Sequence, residues 1–431
     1  MRLLLPLLLA ATASAADAPR PLLAELLGIN GHAVRFKPEL YQPLTHFVRD
    51  YHPMEWDLDG RTDAVPAFPF TRNRLDWSVI YGAWRKAGYD VHCSLLFDPL
   101  KPTAWVDPTL NGTAYGQAFA AAFGPSAPGG LVSSVEIGNE PGAYDNDQYR
   151  VLFEALAGGI RTADPRLRIA SCAVTTGPST PQARSIECFR GLDRLLDILT
   201  VHPSARVEEW PTWRSTFPED PAVPYFKVVR DVLSWRDRNA PGKPVWVTEY
   251  GWDCSTKRPD ATGPWARWIG STDQQQAQWL VRATLLFSTM EVQRAYVQQA
   301  DDADEPGLDR CSGVTRNSVP KPSFHALAHL ATTLGGYRFS GVIRQDADAV
   351  VLRFRSAADE LKTVVVAWSP TGDDRSVAFT TPLPADRRVV RMQRMPLIAQ
   401  TDDLPPPVTA TDGTVTVTLT ESPLYVWLDA R

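Results

Sequence analysis

Two glutamates carry the chemistry that this sequence suggests first. Glu140 closes the run Val135-Glu136-Ile137-Gly138-Asn139-Glu140-Pro141, and Glu249 lies in Val245-Trp246-Val247-Thr248-Glu249-Tyr250-Gly251-Trp252. Each ends a short apolar, strand-like segment. Pro141 stops the first segment, because proline has no N–H to give to a parallel ladder. Two carboxyl groups converging on one bond can divide the work of breaking it. One protonates the leaving oxygen and the other meets the carbon left behind. Glycoside hydrolysis uses such a pair, and a spacing of about 5–5.5 Å goes with retention of configuration.

The elements that must position them can be read from the alternation of short apolar runs and amphipathic stretches. The strand-like runs are Leu26–His32, His52–Leu58, Asp90–Leu96, Ser133–Asn139, Arg168–Val174, Ile198–His202, Val245–Tyr250 and Arg294–Gln299. Helical patterns follow them at Pro38–Arg49, Asp76–Ala87, Tyr115–Phe123, Asp147–Thr162, Ala183–Leu195, Pro224–Arg238, Asp273–Met290 and Ser323–Leu334. Repeated strand–helix pairs of this kind predict an α/β fold, a (β/α)8 TIM barrel, over residues 17–336. Glu140 then ends the fourth strand and Glu249 the seventh, at the face where such barrels hold their active sites. Beyond Gly335-Gly336 only alternating β-type runs separated by turn residues remain. They predict a small antiparallel β-sandwich over residues 337–431.

Composition narrows the function classes. The chain has 431 residues, 44% hydrophobic and 22% charged, with a formal net charge of −5. That balance gives no footprint for nucleic acid or an anionic membrane. Met1 to Ala16 have an arginine, a leucine-rich core and an Ala-x-Ala end, and read as a secretory signal peptide. Export to the outside or the periplasm, with no membrane partner after its removal, is the expectation. The sequence holds neither the Gly-x-Ser-x-Gly elbow of ester hydrolases nor a phosphate loop, nor His-Glu-x-x-His. The turn Gly28-Ile29-Asn30-Gly31-His32 lacks the dinucleotide pattern, and no cofactor or metal is implied. The five cysteines match no zinc spacing. Cys254 follows the seventh strand and Cys311 the eighth, which suggests a disulfide between adjacent loops.

With Asn139-Glu140 on strand four and Glu249 on strand seven, the chain resembles glycoside hydrolase clan A. The run Pro320-Lys321-Pro322-Ser323-Phe324-His325-Ala326-Leu327, followed by Leu334-Gly335-Gly336, looks like the segment after strand eight in family 39 and its relatives. The resemblance implies Glu140 as acid/base and Glu249 as nucleophile of a retaining hydrolase of β-glycosidic bonds. It also implies that the C-terminal sandwich accompanies the barrel, and that His202, ending strand six, stands beside the nucleophile. Many clan members carry an arginine on strand two and a tryptophan on strand eight. The expected second strand, running into Met54-Glu55-Trp56-Asp57-Leu58, has no arginine, and Tyr296-Val297-Gln298-Gln299 has no tryptophan.

A carbohydrate is thus the expected partner of a chain expected to act as a monomer. Asn139 is expected to bond the hydroxyl next to the anomeric carbon. Asn30, His32, Asp57 and Gln298, at strand ends, are candidates for gripping other hydroxyls. Trp56, Trp105, Trp210, Trp213, Trp252, Trp265 and Trp268 follow strand ends too. Trp56, Trp105, Trp210 and Trp252 are the candidate stacking platforms for pyranose faces. Glu136 points the same way as Glu140 by strand alternation and reads as a charge buried in the barrel. Two rival functions use the same features: a non-catalytic glycan-binding barrel, and a transglycosylase.

Overall fold

The computed structural model describes residues 20–58, 60–383, 385–405, 407 and 413–430. The expected signal segment, residues 1–16, lies outside them. Eight strands pair in parallel and close on themselves: β1 Leu27–Gly31, β2 Phe47–Pro53, β3 Asp90–Leu96, β4 Ser134–Ile137, β5 Arg168–Thr175, β6 Ile198–Val201, β7 Val245–Tyr250 and β8 Val292–Val297. β1 pairs with both β2 and β8, and β4 with β5, which closes the barrel. Helices Trp77–Lys86, Pro108–Phe123, Asn146–Ala163, Tyr225–Asn239, Asp273–Phe287 and Pro322–Leu334 alternate with the strands. Two predicted helices are not formed as such. The first connection holds only the single turn Pro38–Tyr41, because Pro43 follows at once and disfavours continued helix before it. The fifth holds the short strand Arg184–Ser185 and a 3-10 turn Ile186–Phe189, ended near Gly191 at φ +82°.

The second strand lies earlier than the pattern suggests. It covers Phe47–Pro53, and Met54–Leu58 form a helical turn beyond its end. Its two faces explain why. Arg49 and Tyr51 face the barrel interior, while Asp50 and His52 are buried on the other side against Tyr81. Polar residues on both faces erase the alternation that marks a half-buried strand. Strand eight likewise starts earlier, at Val292.

Inside the barrel, Ala170, Ile198, Trp246 and Tyr296 form an apolar floor. Above it lies a polar layer of His92, Arg49 and Glu136, all fully buried. Residues 337–430 form a five-stranded antiparallel sheet and a two-stranded one. Val351, Ala367 and Leu424 of the first, with Ala349 just before it, meet Phe379 and Leu419 of the second across a small core. This is the expected sandwich, with strands Tyr337–Gln345 and Arg387–Arg394 in addition to those legible in sequence. It packs on the barrel through apolar residues such as Val350, Leu352, Phe354 and Val364, which join the barrel's own core, and through polar contacts. Trp368 Nε1 donates to Glu219 Oε1 at 2.7 Å and Arg282 Nη1 donates to the Thr371 carbonyl at 2.8 Å.

Candidate active site

β4 delivers Glu140 through a sharp turn. Gly138 sits at φ +79°, a conformation that favours glycine. The turn is anchored from β3's end: Asp98 Oδ2 accepts the Asn139 N–H at 3.1 Å. Burial raises the Asp98 carboxyl to about 6 despite that backbone bond. Glu249 comes from β7. One carboxylate oxygen of each glutamate and one His202 nitrogen all lie within 4.8 Å of one another. These three side chains are also the one His/Cys/Asp/Glu cluster among the described residues spaced closely enough to hold a cation.

Beneath them sits Arg49, the strand-two arginine. Its side chain is inaccessible to solvent. Nε donates to Glu136 Oε2 at 2.9 Å, Nη1 to Asn30 Oδ1 at 2.7 Å and Glu249 Oε1 at 3.2 Å, and Nη2 to Asn139 Oδ1 at 2.7 Å. The missing arginine of the sequence pattern is therefore present, displaced from its expected segment by the earlier start of β2. Burial works against the Glu136 charge, but Arg49 and then His92 outweigh it and hold the carboxyl below its ordinary value. Burial, then the nearby Glu249 charge, pushes the Tyr51 phenol well up.

His202, from the end of β6, bonds through Nδ1 to Glu140 Oε1 at 2.9 Å and through Nε2 to Thr248 Oγ1 at 2.9 Å. Its Nδ1 is 4.0 Å from Glu249 Oε2, so its hydrogen bond goes to the other glutamate than the one expected. Burial opposes its charged form, yet Glu249 and then Glu140 raise its pKa overall. Burial raises Glu140, His202 opposes this, and the Glu249 charge adds to it.

The cleft around these groups has a volume of about 370 Å³. Asn139, Glu140, His202, Glu249, His32 and Gln298 line it. His32 stacks on Tyr51 with centroids 5.2 Å apart, and burial lowers its pKa. Gln298 Nε2 donates to Asp309 Oδ1 at 2.9 Å. Asp309 is held by Asp253, which accepts the backbone N–H groups of Asp309, Arg310 and Cys311. Burial, then Asp309, pushes Asp253 up to about 7.

Other expected binding residues stand elsewhere. Asn30 is buried below the cleft, its Nδ2 donating to the Thr248 and Val297 carbonyls, so it aligns Arg49. Asp57 lies behind β2, bonded to His52, Trp77 and Tyr115. Trp56 stacks on Trp77, Trp105 is buried against the Tyr144 hydroxyl, and Trp252 is core, its Nε1 bonded to the Thr216 carbonyl. Trp210 is 72% exposed on a loop and does not line the cleft. Trp213, on the same loop, does, with the Arg206 guanidinium 5.2 Å over its ring. Spacing from a strand end does not reveal which way a loop ring turns. Arg49, Tyr51, Asp98, Arg206 and Asp309 escaped sequence reasoning. Only the Phe47-Val48-Arg49 run, placed inside a helix pattern, offered a signal for the first.

The Cys254 and Cys311 loops are adjacent, with the Cys254 N–H donating to the Cys311 carbonyl at 3.1 Å. Both thiols are nevertheless free, as are the other three. The buried Lys321 ammonium ties these loops instead, donating to Asp302, to Cys254 Sγ and to the Cys311 carbonyl.

No family model matches the sequence, and no curated protein is similar to it. Solved structures are similar. A family 39 glycoside hydrolase from Bacteroides cellulosilyticus WH2 superposes with a TM-score of 0.68 at 19% identity, over 96% of this chain and 81% of that one. This chain has the fold of clan A glycoside hydrolases. A glucosidase from Croceicoccus marinus gives 0.66 at 14% identity, covering 96% of this chain and 98% of that one. A family 30 subfamily 8 xylanase from Clostridium acetobutylicum gives 0.58 at 11%, with coverages of 96% and 98%.

Two predictions follow from this geometry. Replacing Arg49 by Met leaves Glu136 buried without its main counter-charge, so stability falls by about 3–5 kcal/mol, read by chemical denaturation. Replacing His202 by Ala removes the group that lowers Glu140, whose pKa then rises further. Titration of the Glu140 carboxyl, followed by NMR, then moves to higher pH.

Proposed function

We propose that this protein is an exported retaining glycosidase that cleaves β-glycosidic bonds in oligo- or polysaccharides by double displacement. One observation carries the reading. Carboxylate oxygens of Glu140 and Glu249 approach within 4.8 Å, with His202 between them. Such a short separation goes with retention, whereas inversion goes with carboxyl groups about 6.5–9.5 Å apart, which leave room for a water beside the sugar.

In the first step a Glu249 oxygen bonds the anomeric carbon as the glycosidic C–O bond breaks. Glu140 gives its proton to the departing oxygen, which leaves as an alcohol. Arg49 fixes the Glu249 carboxylate, and Asn139, held by Arg49, faces the neighbouring hydroxyl. Forming the glycosyl ester removes the Glu249 charge. That charge is one of the groups raising Glu140, so the Glu140 pKa drops at the point where it must act as base. It then takes a proton from water, whose oxygen bonds the anomeric carbon and releases Glu249. Asp309 and Gln298 accept and donate hydrogen bonds at the far wall of the same cleft. The absence of a strand-eight tryptophan leaves this wall polar, which suits hydroxyl recognition more than ring stacking.

An activated fluoro-glycoside tests the assignment. The wild type is expected to accumulate a covalent adduct that peptide mass spectrometry places on Glu249, and Glu249→Gly to form none. An adduct on another residue contradicts the nucleophile assignment.

A further inference from the structure

The insert after β7 ends in a second cavity that the catalytic cleft does not use. It has a volume of about 510 Å³ and is lined by Trp265, Lys257, Arg258 and Asp260 from the insert and by Glu305 and Arg310 from the loop after β8. The two cavities share one wall. Trp213 faces the catalytic cleft, Trp265 faces the second cavity, and their ring centroids are 6.1 Å apart at 59°. The strip after β8 divides in the same way. Leu308 and Asp309 line the cleft, while Pro306 and Arg310 line the second cavity.

This wall is built rather than incidental. The insert is tied to the Trp213 loop by the Ile269 N–H, which donates to the Thr212 carbonyl at 2.8 Å. The strip is tied to β7's end by Asp253, which accepts the backbone N–H groups on both sides of the divide, at Asp309 and Arg310. Gly307 has φ +147°, and a Cβ there would stand 3.1 Å from the Trp265 ring. A glycine there lets the backbone pass close to that indole and to Arg310 Cδ, which a Cβ would meet at 2.9 Å. Trp265 remains half-buried, with ring surface left at the cavity. A pyranose offers a flat apolar face to such a ring and hydroxyls to charged groups around it.

We infer that the Trp265 cavity is a further subsite for a pyranose unit of the same saccharide chain whose scissile bond lies at Glu140 and Glu249. The inference rests on the glycosidase reading and deepens it. The substrate is a chain long enough to cross the Trp213–Trp265 wall, not a disaccharide.

Chain-length dependence tests it, using xylo- and cello-oligosaccharides from disaccharide to hexasaccharide. In the wild type kcat/KM should rise with length. In Trp265→Ala the ratio of kcat/KM for hexasaccharide to that for disaccharide should fall about tenfold, and Trp265→Phe should restore most of it. An unchanged ratio, or an equal loss at both lengths, overturns the subsite. If the wild type cleaves neither series, binding is read apart from cleavage. Calorimetric titration with the same sugars then decides the subsite. Hexasaccharide binding that is lost in Trp265→Ala supports it, and no length-dependent binding overturns it.

Discussion

A single buried cation organises this molecule. Arg49 stands in the barrel with no solvent contact and four acceptors around it, drawn from β1, β4, β7 and the turn after β4. Taking a guanidinium out of water costs several kcal/mol, and the cost is offset only when geometry and hydrogen bonding are nearly complete. Glu136 supplies the main counter-charge, and His92 shares that carboxylate from β3. What remains of the donor fork goes to Asn30, Glu249 and Asn139, of which the last two would meet the sugar. The charge buried in the barrel interior therefore also sets where the Glu249 carboxylate sits. The apolar floor of Trp246 and Tyr296 lies below, so the polar layer faces only upward, toward the cleft.

Around this centre the pKa of each acid is set by its surroundings. Glu140 is desolvated and beside another carboxylate, and His202 moderates both effects. Asp98 holds the backbone of the turn that carries it. A third carboxyl, Asp309, completes the cleft and is held in place by Asp253 through three backbone N–H groups. The result is a pocket rich in acids in which each has a distinct partner. This is the condition for separate acid, base and binding roles.

Much of this was legible in the residues. β3 and β7 lie where the apolar runs end, and Glu140 and Glu249 could be placed from strand ends alone. β2 was not legible, since polar residues are buried on both its faces, and a proline-broken helix pattern ran into its start. With β2 displaced, Arg49 and Tyr51 were lost together. The aromatic residues divide in the same way. Trp213 reaches the cleft and Trp252 becomes core, although both follow strand ends, because ring direction depends on loop packing that sequence spacing does not encode. The expected disulfide failed for a related reason. The loops are neighbours, but the Cys254 thiol faces the Lys321 ammonium and the Cys311 thiol faces the Gly307 carbonyl.

The central claim is that Glu140 and Glu249, aligned through Arg49 and His202, act from opposite sides of one bond without an intervening water. The anomeric configuration of the first product tests this most directly, followed by proton NMR in the first minutes of hydrolysis before mutarotation. The account predicts that the product first appears as the same anomer as the substrate. Initial release of the opposite anomer would contradict it.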